Sequence, residues 1–169
     1  QVNRSFFRPA NLGFTRVAGL EAHARLAWSR ALTLTASYAL VDARVVNTGS
    51  ALDGNRVPGV PMHDVYVSLD GFANPRRIGA LRAGVSLSYV SDAFLEESNT
   101  PTARILSRAL VGATASWSPS FIPGLTLSVA ATNLLDLRSA IGERPDGSEG
   151  RVAIQDYFGY PLPGRSVFA

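Results

Sequence analysis

The sequence contains no cysteine and no lysine. Without cysteine there can be no disulfide, no zinc–thiolate site and no thiol nucleophile. Without lysine, all 16 basic residues are arginine. They are scattered from Arg4 to Arg165, and only Arg76 and Arg77 are adjacent. A phosphate-binding face needs its cations clustered, so the net charge of +3 and pI near 9.8 do not make this a nucleic-acid binder. The arginine-only, alanine-heavy composition reads instead as coding bias. Charge of either sign is scarce, at 17% of residues against roughly 25% in soluble domains. With 46% hydrophobic residues, the chain is too apolar to be disordered. Yet no run approaches the roughly 18 unbroken apolar residues of a membrane helix, and no secretory leader pattern is read at the start. If this protein meets a membrane, it does so with strands.

What is present is period two. From Phe14 to Trp28 the even positions carry Leu20, Ala22, Ala24 and Leu26, while Glu21, His23 and Arg25 lie between them. The alternation resumes with Leu32, Leu34, Ala36, Tyr38 and Leu40 against Thr33, Thr35 and Ser37. Further strands are read at about Asp64 to Phe72, Leu81 to Tyr89, Val111 to Trp117 and Leu125 to Ala131, and a seventh begins near Gly164–Phe168. Alternate side chains of a strand point to opposite faces, so each stretch has one apolar and one polar face. No segment of comparable length has helical spacing. The fold class is all-β.

Two features separate this pattern from a soluble sandwich. Several stretches alternate for ten or more residues, whereas globular strands usually run about 5–6 and tilted membrane strands about 9–11. The connections also alternate in length. Ser29–Arg30, Ala73–Gly79 and Ser118–Gly124 are short; Asn47–Pro61, Ser91–Arg104 and Arg138–Pro163 are long and rich in Gly, Pro, Asn and Asp. In an up-and-down meander this puts tight turns at one end and large loops at the other, as in outer-membrane barrels. Trp28 and Trp117 end apolar faces beside short turns, and Tyr38 and Tyr89 lie toward the long-loop ends. These four are candidate membrane-interface aromatics, since such rings combine an apolar body with a hydrogen-bonding edge. The whole reading requires the Leu/Ala/Val face to meet hydrocarbon; packing of that face against a second protein layer would overturn it.

Bacterial barrels close with an even number of strands, and six complete strands plus one short one cannot do so alone. Residues 1–10 read as a loop or partial strand. The expectation is a fragment, with residues 1–169 forming the C-terminal part of a transmembrane β-barrel domain. At this point several segments, taken in order, resemble the late barrel of TonB-dependent outer-membrane receptors. They are Gly19-Leu20-Glu21 with Tyr38 and Asp42-Ala43, then Pro58, Pro61 and His63, then Asn133, Leu134 and Asp136, and finally Gly159 to Ala169. No motif is specific alone; the ordered set covers nearly the whole chain. The chain departs from the family in stopping at Phe168-Ala169, where members continue to a terminal aromatic, and in carrying neither plug nor energy-coupling box.

The resemblance implies an antiparallel up-and-down barrel of about 22 strands around a plug, in the Gram-negative outer membrane. It implies TonB-driven import of a scarce small-molecule ligand such as a ferric siderophore, haem, cobalamin or an oligosaccharide. The implied partners are the remaining barrel and its plug domain, outer-membrane lipid and lipopolysaccharide, and the inner-membrane TonB complex. Glu21, His23, Arg25 and Arg82 on the polar face are candidates for lining the lumen or meeting the plug. Glu21 and Arg25 are too far apart for a direct same-strand pair, so their partners are expected across strands or on the plug. Asn133 and Asp136 are expected to cap turns, and the acidic, Gly-rich segment around Asp146-Gly147 to turn at the cell surface. His23 and His63 are the only histidines, and neither sits in a catalytic or metal-ligand motif. No cofactor, metal site or enzymatic activity is read. The alternatives are a small complete barrel with a structural or adhesive role, which needs residues 1–10 paired with the last strand, an outer-membrane lipase or protease, and a soluble β-barrel binder.

Overall fold

The computed structural model describes residues 14–46, 51–156 and 159–169. Apart from one 3-10 turn at Pro101–Ala103, regular structure among these residues is strand: β1 (Phe14–Ala27), β2 (Leu32–Val46), β3 (His63–Ala73), β4 (Gly79–Val90), β5 (Ala93–Phe94), β6 (Arg104–Ile105), β7 (Arg108–Pro119), β8 (Leu127–Thr132), β9 (Ser139–Glu143), β10 (Glu149–Ala153) and β11 (Ser166–Phe168). No helix among the described residues is long and apolar enough to cross a membrane, which says nothing about crossing by strands.

Seven strands form one antiparallel sheet in the order β1-β2-β3-β4-β7-β8-β11. Each strand pairs with the next one in the chain that belongs to the sheet, so the sheet is a meander. It is open, with β1 and β11 at opposite edges. Residues 1–10, whose pairing the small-barrel alternative requires, lie outside the described residues. The first four strands and β7 run 11 to 15 residues, as the long alternation predicts.

The register turns separate alternations into one surface. Leu26, Leu34, Leu69, Val85, Ala113, Ala131 and Val167 stand opposite one another, pair by pair, across all seven strands. Beside them run Ala24, Ala36, Val67, Leu87 and Val111. A slip of one residue in any pair would break this continuity. Among the described residues no second layer covers the face: Leu20 is 59% exposed, Val85 54% and Leu127 51%. On the other face the same register aligns Thr33, Asp70, Gly84, Thr114 and Ala130.

A conventional core exists, but at one end only. The buried apolar residues Ala43, Val45, Val90, Ala93, Ile105 and Ile154 all lie at or beyond the long-connection ends of the strands. There β5 pairs with β6 and β9 with β10 in two small sheets. Two of the three long connections thus contain hairpins not anticipated from their loop-like composition. β9–β10 turns at Asp146-Gly147, where Gly147 has φ +79° and the Ser148 N–H donates to Asp146 Oδ1 at 2.9 Å. At the short-connection end β8 begins at Leu127 rather than Leu125. The Leu125 N–H is held by the Ile122 carbonyl inside the turn, next to Gly124 at φ +83°. Gly79 also needs its positive φ of +97°, and an added Cβ would stand 2.1 Å from the Ser118 carbonyl oxygen.

Candidate functional site: the polar face and the loop end

The polar face carries most of the chemistry in the strands. Alternation from Gly19 onward places Glu21, His23 and Arg25 there, and the register sets Glu21 against Ala39 and then Asp64, and His23 against Ser37 and then Tyr66. Glu21, His23, Ser37 and Asp64 line a recess of about 530 Å³. Neither a hydrogen bond nor an ion pair joins Glu21, His23 or Arg25 to another described residue, and all three are exposed. The structure therefore brings Glu21 and His23 to one recess but gives neither a partner.

Arg82 lies lower on the same face, directly across from Phe72, with its guanidinium 5.3 Å from that ring's centre. It shares a 530 Å³ cavity with Arg30, Thr33, Asp70 and Thr114. Asp70 was not singled out by sequence. The Ser68 hydroxyl donates to Asp70 Oδ2 at 2.9 Å, and the carboxylate crosses the adjacent strand over Gly84. A Cβ at Gly84 would sit 2.5 Å from Asp70 Oδ1 and 3.2 Å from Thr114 Oγ1, so glycine there makes room for the acid. Asp70 shares the polar side of β3 with Asp64, and that it faces a glycine needs the register to be seen.

The aromatics fall into rows on the apolar face. Tyr38 and Tyr89 both stand opposite Val65, and Trp117 stands opposite Leu81 and Leu127. Trp28 follows β1 directly. Leu81 and Tyr89 are eight residues apart on β4, or ~27 Å along the strand. A tilt of about 40° reduces that to roughly 21 Å along the membrane normal, just inside the roughly 25 Å apolar band of membrane barrels. The Trp117 indole N–H donates to the Ile78 carbonyl at 2.9 Å. Tyr38 stacks on His63, with its hydroxyl 2.9 Å from Nδ1, so this histidine sits in the tyrosine row. Among the described residues no group of three potential metal ligands converges.

At the loop end, the β2–β3 and β4–β7 connections lock together around Arg56. Its guanidinium contacts Asp92 Oδ2 at 3.0 Å and the Asp92 carbonyl at 2.7 Å, and lies 5.6 Å from the Phe94 ring centre. Its backbone N–H donates to Asn99 Oδ1 at 2.7 Å, and the Asn99 amide returns a bond to the Arg56 carbonyl at 3.0 Å. Arg104 adds a second contact to Asp92 at 3.1 Å. Partial burial raises the Asp92 pKa. The hydrogen bond and charge of Arg104, then those of Arg56, outweigh it and hold the carboxyl below its usual 3.8. Arg56, Asp92 and Asn99 are distant in sequence, so no local motif announces them. Asn133 is the expected cap. Buried at φ +50°, it accepts from the Leu137 N–H at 2.9 Å and donates to the Leu137 and Pro163 carbonyls. Asp136 in turn accepts from Arg138 Nε and the Arg165 N–H.

This open meander, apolar on one side and polar on the other, can be set beside known proteins. A family model described as "TonB dependent receptor-like, beta-barrel" matches residues 1–134. The chain belongs to that family. Among solved structures, members of the TonB-dependent group superpose closely. The ferric yersiniabactin uptake receptor FyuA from Yersinia pestis does so with a TM-score of 0.70 at 22% identity, over 90% of this chain and 22% of its own. The ferric citrate transporter FecA in its unliganded form gives 0.67 at 24% identity, over 90% and 23%. The ferric preacinetobactin receptor BauA from Acinetobacter baumannii gives 0.64 at 16%, over 90% and 21%. At these identities the likeness shows the fold, and the chain spans about a fifth of the length of each receptor. No curated protein matches by sequence. The TonB-dependent barrel family accounts for the open sheet, because the matched part of each receptor is a piece of a larger barrel.

Proposed function

We propose that the chain is part of the wall of an outer-membrane barrel that imports a scarce ligand under TonB control. Its apolar face would meet lipid and its polar face the lumen. One observation carries this: a single apolar surface runs in register across seven strands, and no layer of the described residues covers it. In a soluble protein such a surface would far exceed the few hundred Å² usually left exposed. Residues 1–169 would be a C-terminal stretch of the barrel domain, with further strands and a plug elsewhere in the protein. Glu21, His23, Arg25 and Arg82 would then face the plug or the ligand route, and the lack of partners for the first three fits groups satisfied by a neighbour outside this chain. The long-connection end would face outward and the inner-membrane TonB complex would act through the plug. The relatives named above take up ferric siderophores or ferric citrate, so a ferric chelate is the ligand class to test first.

The test is growth of a strain whose sole route for a ferric siderophore is the complete receptor containing this chain. Growth that depends both on the receptor and on an intact TonB complex supports the proposal. Growth or ligand uptake that is indifferent to TonB, or recovery of the receptor in the soluble fraction, overturns it.

A further inference from the structure

The short-turn end carries a charge pattern that the proposed role leaves unused. Its three connections, residues 28–31, 74–78 and 120–126, contain Arg30, Arg76 and Arg77 and no acidic residue. The long connections, residues 47–62, 91–107 and 133–165, hold nine of the 13 acidic residues against six arginines. The two ends therefore differ in sign, by +3 against −3.

The basic end is also apolar. Phe121 is 66% exposed, and Ile78 and Ile122 are exposed beside it. Hydrogen bonds fix these residues relative to the arginines. The Ser120 hydroxyl donates to the Arg77 carbonyl at 3.2 Å, and the Trp117 indole to the Ile78 carbonyl. Phe121 packs edge-on to Trp117, 6.0 Å between ring centres. The turn bearing Arg76 and Arg77 is thus held against the turn bearing Phe121. Arg76 and Arg77 are exposed and make no ion pair among the described residues. Just inside this rim, the apolar face is hollowed. Gly71, Ala83 and Ala115 lie beside the larger Leu81, Trp117 and Leu127, leaving a groove of about 690 Å³.

We infer that this rim is a docking site for an anionic phospholipid. Arg76 and Arg77 hold the phosphate, Phe121 and Ile122 enter the headgroup boundary, and an acyl chain lies in the groove beneath Trp117. The chemistry selects that occupant. Two cations without counter-charges need an anion, and an apolar trough beside them needs a chain. Arginine forks suit phosphate oxygens, and each basic residue near an anionic surface strengthens attraction by roughly fivefold. The inference rests on the membrane-wall reading above and adds a headgroup preference to it.

The experiment uses the complete receptor in bilayers of phosphatidylcholine with spin-labelled lipid, and compares labelled phosphatidylglycerol with labelled phosphatidylcholine in the motionally restricted population. The wild-type receptor is expected to favour phosphatidylglycerol several-fold, with the preference weakening as salt rises. R76Q/R77Q is expected to abolish the preference while leaving the total restricted lipid unchanged. Phe121→Ser tests the apolar part and should shrink the preference without abolishing it. Equal restriction of the two lipids by the wild type, or a preference that survives R76Q/R77Q, overturns the docking site while leaving the wall reading intact. Absence of any restricted lipid overturns the wall reading itself. Binding of an acidic soluble protein to the rim in place of lipid, with no headgroup preference, also counts against the inference.

Discussion

The wall and the loop end are stabilised by opposite means. In the wall, strands are joined by ladder hydrogen bonds and side chains stand largely uncovered on the apolar face. At the loop end, Val45, Ile105 and Ile154 are buried as in an ordinary soluble protein, and Arg56, Asp92, Asn99 and Asn133 are tied by short polar contacts. On the proposed reading the wall takes lipid as its solvent, while the loop end builds its own interior. Substitutions should therefore obey membrane rules in one region and globular rules in the other.

The largest effect should come from charging the wall. Val85→Arg, midway between Leu81 and Tyr89 on the apolar face, is expected to destabilise the receptor in lipid by about 2–4 kcal/mol. Ser86→Arg, its neighbour on the polar face, should cost far less. Denaturant titration in vesicles measures both, and equal losses would erase the distinction between the faces. Next in size is Asn133→Ala, which leaves two carbonyls and one N–H without the amide and puts alanine at positive φ. A loss of about 1–3 kcal/mol is expected, read as faster proteolysis of the loop that follows β8.

The third prediction concerns acid. Because Arg104 and Arg56 hold the Asp92 pKa below its ordinary 3.8, the stabilisation is fully present above about pH 5. It falls away as pH drops through the folded-state value. Hydrogen-exchange protection at residues 91–105, taken relative to the intrinsic rate at each pH, should fall at low pH in the wild type and lose that dependence in Asp92→Asn. The smallest effect is expected for Gly84→Ala. The new methyl displaces a flexible carboxylate rather than backbone, so stability should change by less than about 1 kcal/mol, and the Ser68–Asp70 bond should be lost. A larger loss would mean the polar face is packed more tightly than the wall's openness implies.

The wall was legible in the amino-acid order because its rule is local. Every residue from Leu32 to Leu40 declares its face by position alone, and the short turns declare themselves through Pro75, Pro123 and Gly124. Trp28 and Trp117 stand beside short turns and Tyr89 next to the end of β4, whereas Tyr38 sits midway along β2. The loop end was not legible. Arg56 reaches Asp92 across 36 residues and Asn99 across 43, and nothing in either segment names the other. Asp70 falls between these cases: its face was readable, but its passage over Gly84 depends on a register that only pairing reveals. The hairpin β9–β10 left a half-signal, the Asp146-Gly147 turn, without alternation long enough to extend it.

The meander order has a consequence for how such a wall comes into being. Since each strand's mate is the next wall strand along the chain, no distant segment must be found before bonding can start. Growth can proceed by accretion, every hairpin templating its successor on the margin it has just exposed. The loop-end contacts between the β2–β3 and β4–β7 connections would then act as clasps, fastened only after four strands stand side by side, and would favour the growing edge over its own detachment.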